Sequence, residues 1–455
     1  MTASDLLALH RQFLAQLVEA GIQQDQVVLS LAGNRADSLP LLLATRALGA
    51  ALMPVDVGTP SLELLEIATR FRVSAIVLPS KDARHFHGRV VSLRDELSIV
   101  VPAESTPARY PGVAVLKLTS GSTGLPKATL TAESHLLNDT SNIIESMGIE
   151  ATDTLIAAIP LSHAYGLGHL VLPPLLQGTA LVLRDSFIPQ QLPADARRFH
   201  ARVFPGVPFM FRYFTAHPPT DGWPPSLRLL ISAGDRLEPR DAMDFHRRFG
   251  VKIHSFYGTS ETGGIAYDDT EDIDGWMSTG RALPGVTIIL RPHVGAPTGG
   301  GRILVKGAAV CSGYAGEEAS IDTFVDGGFL TGDYGSFDAK GRLVLAGRVS
   351  SFINVAGRKV QPSEVEQVLK SMPAVDDVRV VAVPDARRGE QVAACLVTSE
   401  TLTVADVRRY CASRLAPYKI PRVVIFVDAI PMTVRGKTDQ PALRSLVLAH
   451  DGKHV

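Results

Sequence analysis

The stretch Leu118–Leu130 constrains this chain more than any other. It reads Leu-Thr-Ser-Gly-Ser-Thr-Gly-Leu-Pro-Lys-Ala-Thr-Leu and lies between apolar flanks. Its two glycines permit the positive φ angles at which successive backbone N–H groups converge on an anion. The hydroxyls of Thr119, Ser120, Ser122 and Thr123 add donors, and the lysine adds a positive charge. The stretch therefore predicts a phosphate-binding loop made of Thr119, Ser120, Gly121, Ser122, Thr123, Gly124 and Lys127.

The spacing of this loop differs from that of a Walker A loop. In Walker A the lysine follows the second glycine directly, and a helix begins there. Here Leu125 and Pro126 separate Gly124 from Lys127, and proline removes one N–H and fixes its own φ angle. The spacing disfavours a kinase or an ordinary P-loop NTPase. A plain turn between two strands is the alternative for a generic Gly-Ser-Thr run, but the full string here is far more specific than such a run.

Length, composition and charge narrow the class of protein. A chain of 455 residues favours two or three domains, and 45% hydrophobic with 20% charged residues is typical of a globular protein. The formal net charge is -1, and lysine and arginine are spread along the chain. There is no electrostatic case for a nucleic-acid partner, so a small metabolite is the expected partner.

The cysteines and the apolar segments indicate a cytoplasmic protein. Cys311, Cys395 and Cys411 lie far apart, which favours buried thiols over a disulfide framework or a zinc site. The N-terminus lacks the basic and apolar regions of a signal peptide. The longest apolar stretch, 39–55, is interrupted by Arg46 and is shorter than the ~20 residues of a bilayer span. We therefore expect no membrane span.

Hydrophobic periodicity predicts an α/β fold. Helical and strand patterns alternate from the N-terminus, in the order helix 6–17, strand 26–31, helix 37–49, strand 51–55, helix 61–71 and strand 73–78. This alternation is typical of parallel, doubly wound sheets. From Gly285 the pattern changes to short strands with glycine-rich turns, and 351–455 has the pattern of a small α+β domain. In that domain Ser363 and Glu366 have the spacing of a helix N-cap and its capping box.

The phosphate loop resembles the signature of the adenylate-forming superfamily, which comprises acyl-CoA synthetases, peptide-synthetase adenylation domains and luciferases. That signature is close to T-S-G-[ST]-T-G-x-P-K-G, and only Ala128 departs from it. Further motifs of the family follow in its order, including Y-G-T-S-E at 257–261, T-G-D at 331–333 and P-M-T-V-R-G-K at 431–437. The resemblance covers essentially the whole chain, and an acyl- or aryl-CoA ligase is the nearest type.

The resemblance implies roles for the residues of the nucleotide site. The phosphate loop with Lys127 would hold the β- and γ-phosphates of ATP, and the turn Gly234, Asp235 and Arg236 would pack on adenine. Asp333 would bind the ribose hydroxyls, and Arg348 would reach the nucleotide. The Y-G-T-S-E motif would supply Tyr257 for purine stacking, Gly258 and Thr259 beside it, Ser260 for the α-phosphate and Glu261 for Mg²⁺.

Other residues are assigned to the acyl pocket and the thiol tunnel. His163, in the segment P-L-S-H-A-Y-G, matches the family position that gates the acyl pocket, although a lone histidine after a strand is often structural. The aromatic run 204–214 is either one wall of that pocket or core packing. The residues assigned to this region are His163, Tyr165, Gly166, Phe209, Gly263 and Gly357.

The resemblance also implies two domains and a two-step reaction. An N-terminal core, 1–349, would contain the small β subdomain at about 285–349, and a mobile domain, 350–455, would pivot at Ser350. In the first step a carboxylate attacks the α-phosphorus of Mg·ATP and releases pyrophosphate, with Lys437 stabilising the developing charge. In the second step a thiol, CoA by preference, displaces AMP. Asn354 stands where many relatives have lysine.

Three readings of the function stay open at this point. The first is an acyl- or aryl-CoA synthetase acting on an apolar or aromatic carboxylate. The second is a stand-alone adenylating enzyme that loads an acyl or aryl carrier protein. The third is a non-catalytic homologue that binds a nucleotide or an acyl adenylate, which the joint presence of Lys127, Glu261 and Lys437 disfavours. The oligomer is expected to be a monomer or a homodimer.

Overall fold

The structure is a computed structural model that describes residues 1–94, 96–103, 106–120, 126–185, 187–293, 299–315, 323–348, 353–360, 362–431 and 440–451. The chain divides into two compact units. Unit 1 comprises Met1–Val57, Ala68–Thr119 and Lys127–Val349. Unit 2 comprises Gly58–Ile67, Ser120–Pro126 and Ser350–Val455.

The first sheet contains the strands that lead into and out of the phosphate loop. Its first seven strands in chain order are β1 (Val27–Ser30), β2 (Ala51–Pro54), β3 (Ala75–Pro79), β4 (Gly88–Arg94), β5 (Leu97–Pro102), β6 (Val113–Ser120) and β7 (Pro126–Ala132). Together with β17 (Tyr314–Ala315), they run across the sheet in the order β17-β7-β6-β2-β1-β3-β5-β4. The central strands are parallel, and β5 and β4 add an antiparallel edge.

The second sheet carries the predicted adenine and metal motifs at its strand ends. Its strands are β8 (Thr154–Ile156), β9 (Ala180–Val182), β10 (Val203–Gly206), β11 (Leu229–Ser232), β12 (Ile253–Thr259), β13 (Gly263–Tyr267) and β14 (Arg281–Ala282). They run in the order β14-β13-β12-β11-β10-β8-β9, parallel from β12 to β9. The predicted parallel sheets are thus confirmed, with antiparallel strands added at their edges.

Two smaller sheets complete the fold. The third sheet contains β15 (Thr287–Arg291), β16 (Gly301–Lys306), β18 (Phe324–Val325), β19 (Gly328–Phe337) and β20 (Leu343–Arg348). The fourth lies in unit 2 and contains β21 (Ile353–Val355), β22 (Arg358–Val360), β23 (Val375–Asp385), β24 (Gly389–Thr398) and β25 (Val423–Phe426). These are the short strands predicted after Gly285 and the α+β pattern predicted after residue 351.

Helices connect the strands. They are α1 (Ala3–Glu19), α2 (Ser38–Ala47), α3 (Ser61–Arg70), α4 (Glu133–Met147), α5 (Ala164–Gly166), α6 (Leu172–Gln177), α7 (Gln191–Arg198), α8 (Pro208–Ala216), α9 (Pro239–Phe249), α10 (Pro362–Lys370), α11 (Val404–Ala412) and α12 (Gln440–Asp451). Short 3₁₀ turns lie at Ser80–His85 and Ile273–Met277, and a π-helical turn lies at Leu167–Val171.

Local chemistry explains where several helices start and stop. Thr2 caps α1 by accepting a hydrogen bond from Asp5 N, and Asp5 closes a capping box. Gly148 and Gly250 end α4 and α9 in the left-handed region, where a side chain would be strained. The predicted cap of α10 is wrong, because the helix already begins at Pro362, and Glu366 Oε1 accepts a hydrogen bond from Val380 N at 2.8 Å.

The core of unit 1 fills the space around its two large sheets. The strands β1, β10 and β11 are buried on both faces, as expected of parallel strands covered by helices. Phe13 and Leu17 of α1 and Phe245 of α9 are fully buried in this core. The strand ends that carry the predicted motifs are thereby held on a packed scaffold.

Candidate active site

The phosphate loop connects two neighbouring strands of the first sheet. The strand β6 ends at Ser120, and β7 begins at Pro126. A strand follows the loop directly, and α4 begins only at Glu133. The loop therefore differs from Walker A, in which a helix begins at the lysine. Thr119 is half-buried at the end of β6, and Gly121, Ser122, Thr123 and Gly124 lie outside the described residues.

Tyr314 links the loop lysine to the predicted metal carboxylate. Its hydroxyl donates a hydrogen bond to Glu261 Oε1 at 2.8 Å. Its ring centroid lies 5.4 Å from Lys127 Nζ, a distance at which a cation interacts with an aromatic face. The strand β17 holds Tyr314 opposite Thr129 of β7, and Cys311 N donates to Glu261 O at 2.8 Å. Lys127 and Glu261, 134 positions apart in the sequence, are thus joined through one side chain.

The residues predicted for purine and ribose also meet. Tyr257 on β12 donates its hydroxyl hydrogen to Asp333 Oδ2 on β19 at 2.8 Å. Both side chains are buried, and Asp333 N is held by Thr331 Oγ1 at 3.1 Å. Arg348 lies opposite Asp333 in the register of β19 and β20. Two predicted nucleotide residues, Asp333 and Arg348, thus lie on paired strands of the third sheet, and Tyr257 of the second sheet is hydrogen-bonded to one of them.

The Y-G-T-S-E motif forms the end of β12 and the turn into β13. The strands are antiparallel, with Thr259 opposite Gly263. A Cβ on Gly258 would lie 2.6 Å from Gly263 O, so only glycine fits there. Thr259 Oγ1 accepts from Thr262 N at 3.3 Å, which tightens the turn that holds Ser260 and Glu261. Both of these predicted catalytic residues are half-buried.

Two buried ionisable side chains, Lys117 and Asp139, lie behind this turn. Lys117 on β6 is 5% exposed, and Asp139 on α4 is 9% exposed. Burial lowers the pKa of the Lys117 ammonium group, and the charges of Asp139 and Glu261 oppose that shift. Burial also raises the pKa of Asp139, whose Oδ1 accepts a hydrogen bond from Gly264 N at 2.7 Å. A Cβ on Gly263 would lie 2.4 Å from Asp139 Cγ, so this glycine makes room for the carboxylate.

The predicted acyl-pocket segment leads into helix α5 next to the second sheet. His163 is the residue before α5, and its Nε2 lies 3.9 Å from Asp56 Oδ2. Tyr165 donates to Ile231 O at 3.2 Å and lies 3.3 Å from Gly206 O, so its hydroxyl faces the ends of β10 and β11. A Cβ on Gly166 would lie 2.1 Å from Pro160 O, which explains the glycine by backbone packing.

A second histidine of this segment is wholly buried. His169 is 1% exposed, and its ring lies 4.6 Å from the ring centroids of both Tyr165 and Phe256. Its Nδ1 is 3.1 Å from Tyr165 O, a carbonyl that only accepts, so Nδ1 carries the proton. Burial lowers the pKa of His169 to about 3. The imidazole is therefore neutral throughout the physiological range.

The aromatic run 204–214 divides between core and surface. Phe204, Phe211 and Phe214 are at most 1% exposed and belong to the core of unit 1, as the core-packing alternative predicts. Phe209 is half-buried and meets Phe187 edge to face at 5.9 Å. The adenine turn lies after β11 and is exposed, with Gly234 at φ 81° and Asp235 Oδ1 accepting from Arg236 N at 2.7 Å.

In unit 2 the predicted thiol loop is a tight hairpin. Ala356 and Gly357 form the two-residue turn between β21 and β22, with φ angles of 53° and 82°. Two positive φ values in succession are what a type I′ hairpin turn requires, and glycine meets that requirement without strain. Asn354 N donates to Glu390 Oε2 at 2.7 Å. Ser350 and Lys437 lie outside the described residues.

Several residues of this site are not predicted by the sequence motifs. Tyr314, Lys117, Asp139 and Asp56 each contact or electrostatically influence a predicted residue. Only Lys117 leaves a signal in the sequence, because it is a charged residue inside an otherwise apolar strand two positions before the phosphate loop. The others are ordinary residue types whose partners are distant along the chain.

Neither a membrane-spanning helix nor a cluster of metal ligands is found in the described residues. In the residues that the structure describes, no helix is long and apolar enough to cross a membrane. Over the same residues, no group of three or more His, Cys, Asp or Glu side chains is placed to hold a metal ion. The three cysteines are free and buried, as predicted, and burial raises the pKa of each thiol to about 11.

Comparison with protein families and curated proteins gives consistent matches. The profile described as AMP-binding enzyme matches residues 1–315, and that of the AMP-binding enzyme C-terminal domain matches residues 364–437. A 2-succinylbenzoate–CoA ligase from Enterococcus faecalis is 31% identical over 338 residues, covering 73% of this chain and 69% of the relative. A feruloyl-CoA synthase from an Amycolatopsis species is 28% identical over 462 residues, covering 92% and 88%.

Solved structures resemble the whole chain. An o-succinylbenzoate CoA synthetase from Bacillus subtilis, solved with a product analogue, superposes with a TM-score of 0.86 at 25% identity and covers 97% of this chain and 93% of its own. An amide bond synthetase from Marinactinospora thermotolerans gives a TM-score of 0.85 at 26% identity, with 98% and 95% covered. Both structural relatives thus span nearly all of this chain.

Proposed function

Because this chain belongs to the AMP-binding enzyme family, we propose that Tyr257, Asp333, Lys127 and Glu261 of unit 1 form its ATP site. The protein is an AMP-forming acid–thiol ligase. It activates a carboxylic acid with ATP to an acyl adenylate, releases pyrophosphate and transfers the acyl group to the thiol of CoA.

One observation carries the assignment of the nucleotide site. The hydrogen bond of 2.8 Å between Tyr257 and Asp333 brings together two residues that the motifs assign independently to purine and ribose. A ring beside the base and a carboxylate beside the ribose would fix the nucleoside. Carboxylates are weak nucleophiles and phosphates are anionic, so catalysis here depends on alignment and charge neutralisation.

The residues on the phosphate side fit a magnesium ion. Mg²⁺ in phosphate-transfer sites is usually held by one or two carboxylates together with the phosphates of the substrate. Glu261 supplies one half-buried carboxylate, and its Oε1 is oriented by Tyr314. We assign Glu261 as the protein ligand, with Lys127 binding the phosphates alongside it. When bound, Mg²⁺ would neutralise phosphate charge.

We propose an aromatic or otherwise apolar carboxylate as the substrate. The helix entry after β8 presents Tyr165 and His169 against Phe256, a setting of aromatic rings with few polar groups. The relatives named for 2-succinylbenzoate, indoleacetate and ferulate act on ring-bearing acids, which supports the same class here. The relatives named for oxalate show that family membership alone does not fix the acid.

A panel assay tests the proposal. Pyrophosphate release is measured with ATP and Mg²⁺ over acetate, fatty acids, benzoates, aryl acetates and cinnamates, first with hydroxylamine and then with CoA. We expect the highest kcat/KM with an aromatic acid and stimulation by CoA. Higher kcat/KM with acetate than with any aromatic acid would refute the substrate class. Release with hydroxylamine but no stimulation by CoA would favour a phosphopantetheinyl carrier protein or an amine as acceptor.

A further inference from the structure

Asp139 lies on the helix that follows the phosphate loop, and it contacts the turn that carries Glu261. It is on α4 and is 9% exposed. Its Oδ1 accepts a hydrogen bond from Gly264 N at 2.7 Å, and Gly264 is three positions after Glu261 in the chain. We call residues 259–264 the β12–β13 turn. One buried carboxylate of unit 1 thus connects α4 to this turn.

Two glycines leave the space that this carboxylate occupies. Gly263 has a φ angle of 67°, and a Cβ on it would lie 2.4 Å from both Cγ and Oδ1 of Asp139. A Cβ on Gly168, in the π-helical turn 167–171, would lie 3.4 Å from Asp139 Oδ2. The carboxylate is therefore packed between two segments of unit 1, the β12–β13 turn and the helical turn that follows the predicted acyl-pocket residues.

The pairing of β12 and β13 is irregular beside the Asp139 hydrogen bond. The register shifts directly before Gly258, the residue opposite Gly264. Such a bulge bends a strand and redirects its side chains, and bulges are frequent next to active sites. Cys311 N holds the turn at another point by donating to Glu261 O at 2.8 Å. The hydrogen bond from Gly264 N to Asp139 is therefore a second anchor of the turn, at a place where regular strand pairing is interrupted.

Lys117 contributes a positive charge to the same buried region. It is 5% exposed and lies on β6 two positions before Thr119, so the two side chains are on the same face of the strand. Burial raises the pKa of Asp139, and the charge of Lys117 opposes that rise. Ionisable groups that are shifted by burial together with a charged neighbour are concentrated at functional sites.

We propose that Asp139 is a positioning residue for adenylation, which fixes the β12–β13 turn and thereby orients Glu261 toward Mg²⁺ and the phosphates of ATP. This inference rests on the proposed function, in which Glu261 is the protein ligand of Mg²⁺. Asp139 acts through the backbone, since its hydrogen bond is to Gly264 N. Lys117 balances the charge of the Asp139 carboxylate, so that the carboxylate stays buried as an acceptor.

Asp139→Ala and Asp139→Asn separate the hydrogen bond from the charge. Asparagine keeps an oxygen that can accept from Gly264 N, whereas alanine has none. With ATP, Mg²⁺ and an acid that the parent uses, the kcat for pyrophosphate release should fall ~10²-fold in Asp139→Ala, the usual effect of a small misplacement in an active site. In Asp139→Asn it should remain close to that of the parent. Asp195→Ala is the matched control, because Asp195 is also buried in unit 1 and accepts hydrogen bonds from Arg184 at 2.7 and 2.5 Å.

A double-mutant cycle tests the part assigned to Lys117. Lys117→Met removes the positive charge and keeps an unbranched side chain. The substitution should lower the urea midpoint of the parent more than that of Asp139→Asn, in which no carboxylate is left to balance. Equal shifts in the two backgrounds would show that Lys117 does not balance Asp139 and would overturn its role.

Metal binding provides a readout that needs no turnover. Electron paramagnetic resonance of Mn²⁺ with a non-hydrolysable ATP analogue measures a Kd, which should weaken ~10-fold in Asp139→Ala and recover in Asp139→Asn. A loss of thermal stability with unchanged kcat and Kd would overturn the proposal, because Asp139 would then be purely structural. Equal losses in the alanine and asparagine variants would overturn it too, because the charge and not the hydrogen bond would then matter. A parent that releases no pyrophosphate with any acid would instead contradict the proposed function, and the Mn²⁺ measurement would still test Asp139.

Discussion

Tyr314 contacts two residues of the proposed ATP site with different parts of its side chain. The hydroxyl orients Glu261 Oε1, and the ring lies beside Lys127 Nζ. Tyr314→Phe keeps the ring and its edge-to-face contact with Phe324 at 5.4 Å but removes the hydrogen bond. Because groups that orient a metal ligand affect metal affinity ~10-fold or more, we expect the apparent KM for Mg²⁺ to rise by about that factor.

Direct binding of Mn²⁺ in the presence of a non-hydrolysable ATP analogue, followed by electron paramagnetic resonance, would report the same loss without turnover. Tyr410→Phe is the control, because Tyr410 also lies beside a cation, Arg414, and also donates its hydroxyl hydrogen, to Ser371 O at 2.9 Å. If Tyr314→Phe and Tyr410→Phe bound Mn²⁺ equally well, Tyr314 would have no role in orienting Glu261.

Asp333 offers a test of the nucleoside assignment. Asp333→Ala removes the proposed ribose acceptor together with the hydrogen bond that Tyr257 donates to it, so we expect the KM for ATP to rise ~10-fold or more. The KM for the carboxylate should change much less. Steady-state kinetics with each substrate varied in turn makes the comparison, with the exposed Asp326 replaced by alanine as the control. A larger effect on the carboxylate would refute the ribose role.

At the residue scale, the motifs predict roles for single residues but not the contacts between them. Tyr257 and Asp333 were each identified from a short pattern, and the structure brings the two together. Tyr314 could not be found that way, because a single tyrosine before a short strand carries no signal of its distant partners. Lys117 could have been noticed, since burying a lysine is costly unless a nearby charge compensates.

The buried His169, in the helical segment from Ala164 to Gln177, makes the free energy of unfolding depend on pH. The pKa of His169 is lowered to about 3 by burial, so the folded protein binds no proton there at pH 4.5. The unfolded chain, with an ordinary histidine, does bind one at that pH. Protons therefore favour the unfolded state, and the free energy of unfolding falls as the pH decreases below about 6.5.

His169→Asn tests this dependence. Because the asparagine does not titrate, the variant should lose on the order of 2 kcal/mol less stability than the parent between pH 7.5 and 4.5. Urea denaturation at the two pH values measures the difference. His217→Asn is a matched control, because His217 also places Nδ1 near the carbonyl four residues earlier, that of Tyr213, but is exposed. If His169→Asn and the parent lost the same free energy of unfolding between the two pH values, that result would contradict a buried, neutral imidazole at His169.

At the element scale, periodicity predicted the helices and strands whose burial is regular. The strand β7 was not predicted, because its alternation is short and follows a loop of small residues. The predicted N-cap of α10 was wrong. Its capping-box residue, Glu366, instead accepts a hydrogen bond from the backbone of β23. A helix N-cap contributes only about 1 kcal/mol, so a tertiary contact can outweigh it.

For the whole molecule, the alternation of strand and helix patterns gave the α/β class, and the order of motifs gave the family. The sequence did not predict the hydrogen bonds that connect one motif to another. The turns before β22, β24 and β25 show why, since no sequence period relates them. Only the register of β21, β24 and β25 brings them to one sheet end.

The two half-reactions provide the prediction that belongs to the whole chain. The family resemblance assigns Lys437 to adenylation and the Gly357 loop to thioester formation, so the two steps should respond separately to mutation. Lys437→Ala should slow pyrophosphate release ~10²- to 10³-fold, the usual effect of losing one charge-stabilising group. Thioester formation from a supplied acyl adenylate and CoA should keep its rate. Lys370→Ala, an exposed lysine at the end of α10, should change neither step. Equal losses in both steps would mean that one arrangement of the chain serves the entire reaction, and the proposed pivot at Ser350 would then have no catalytic purpose.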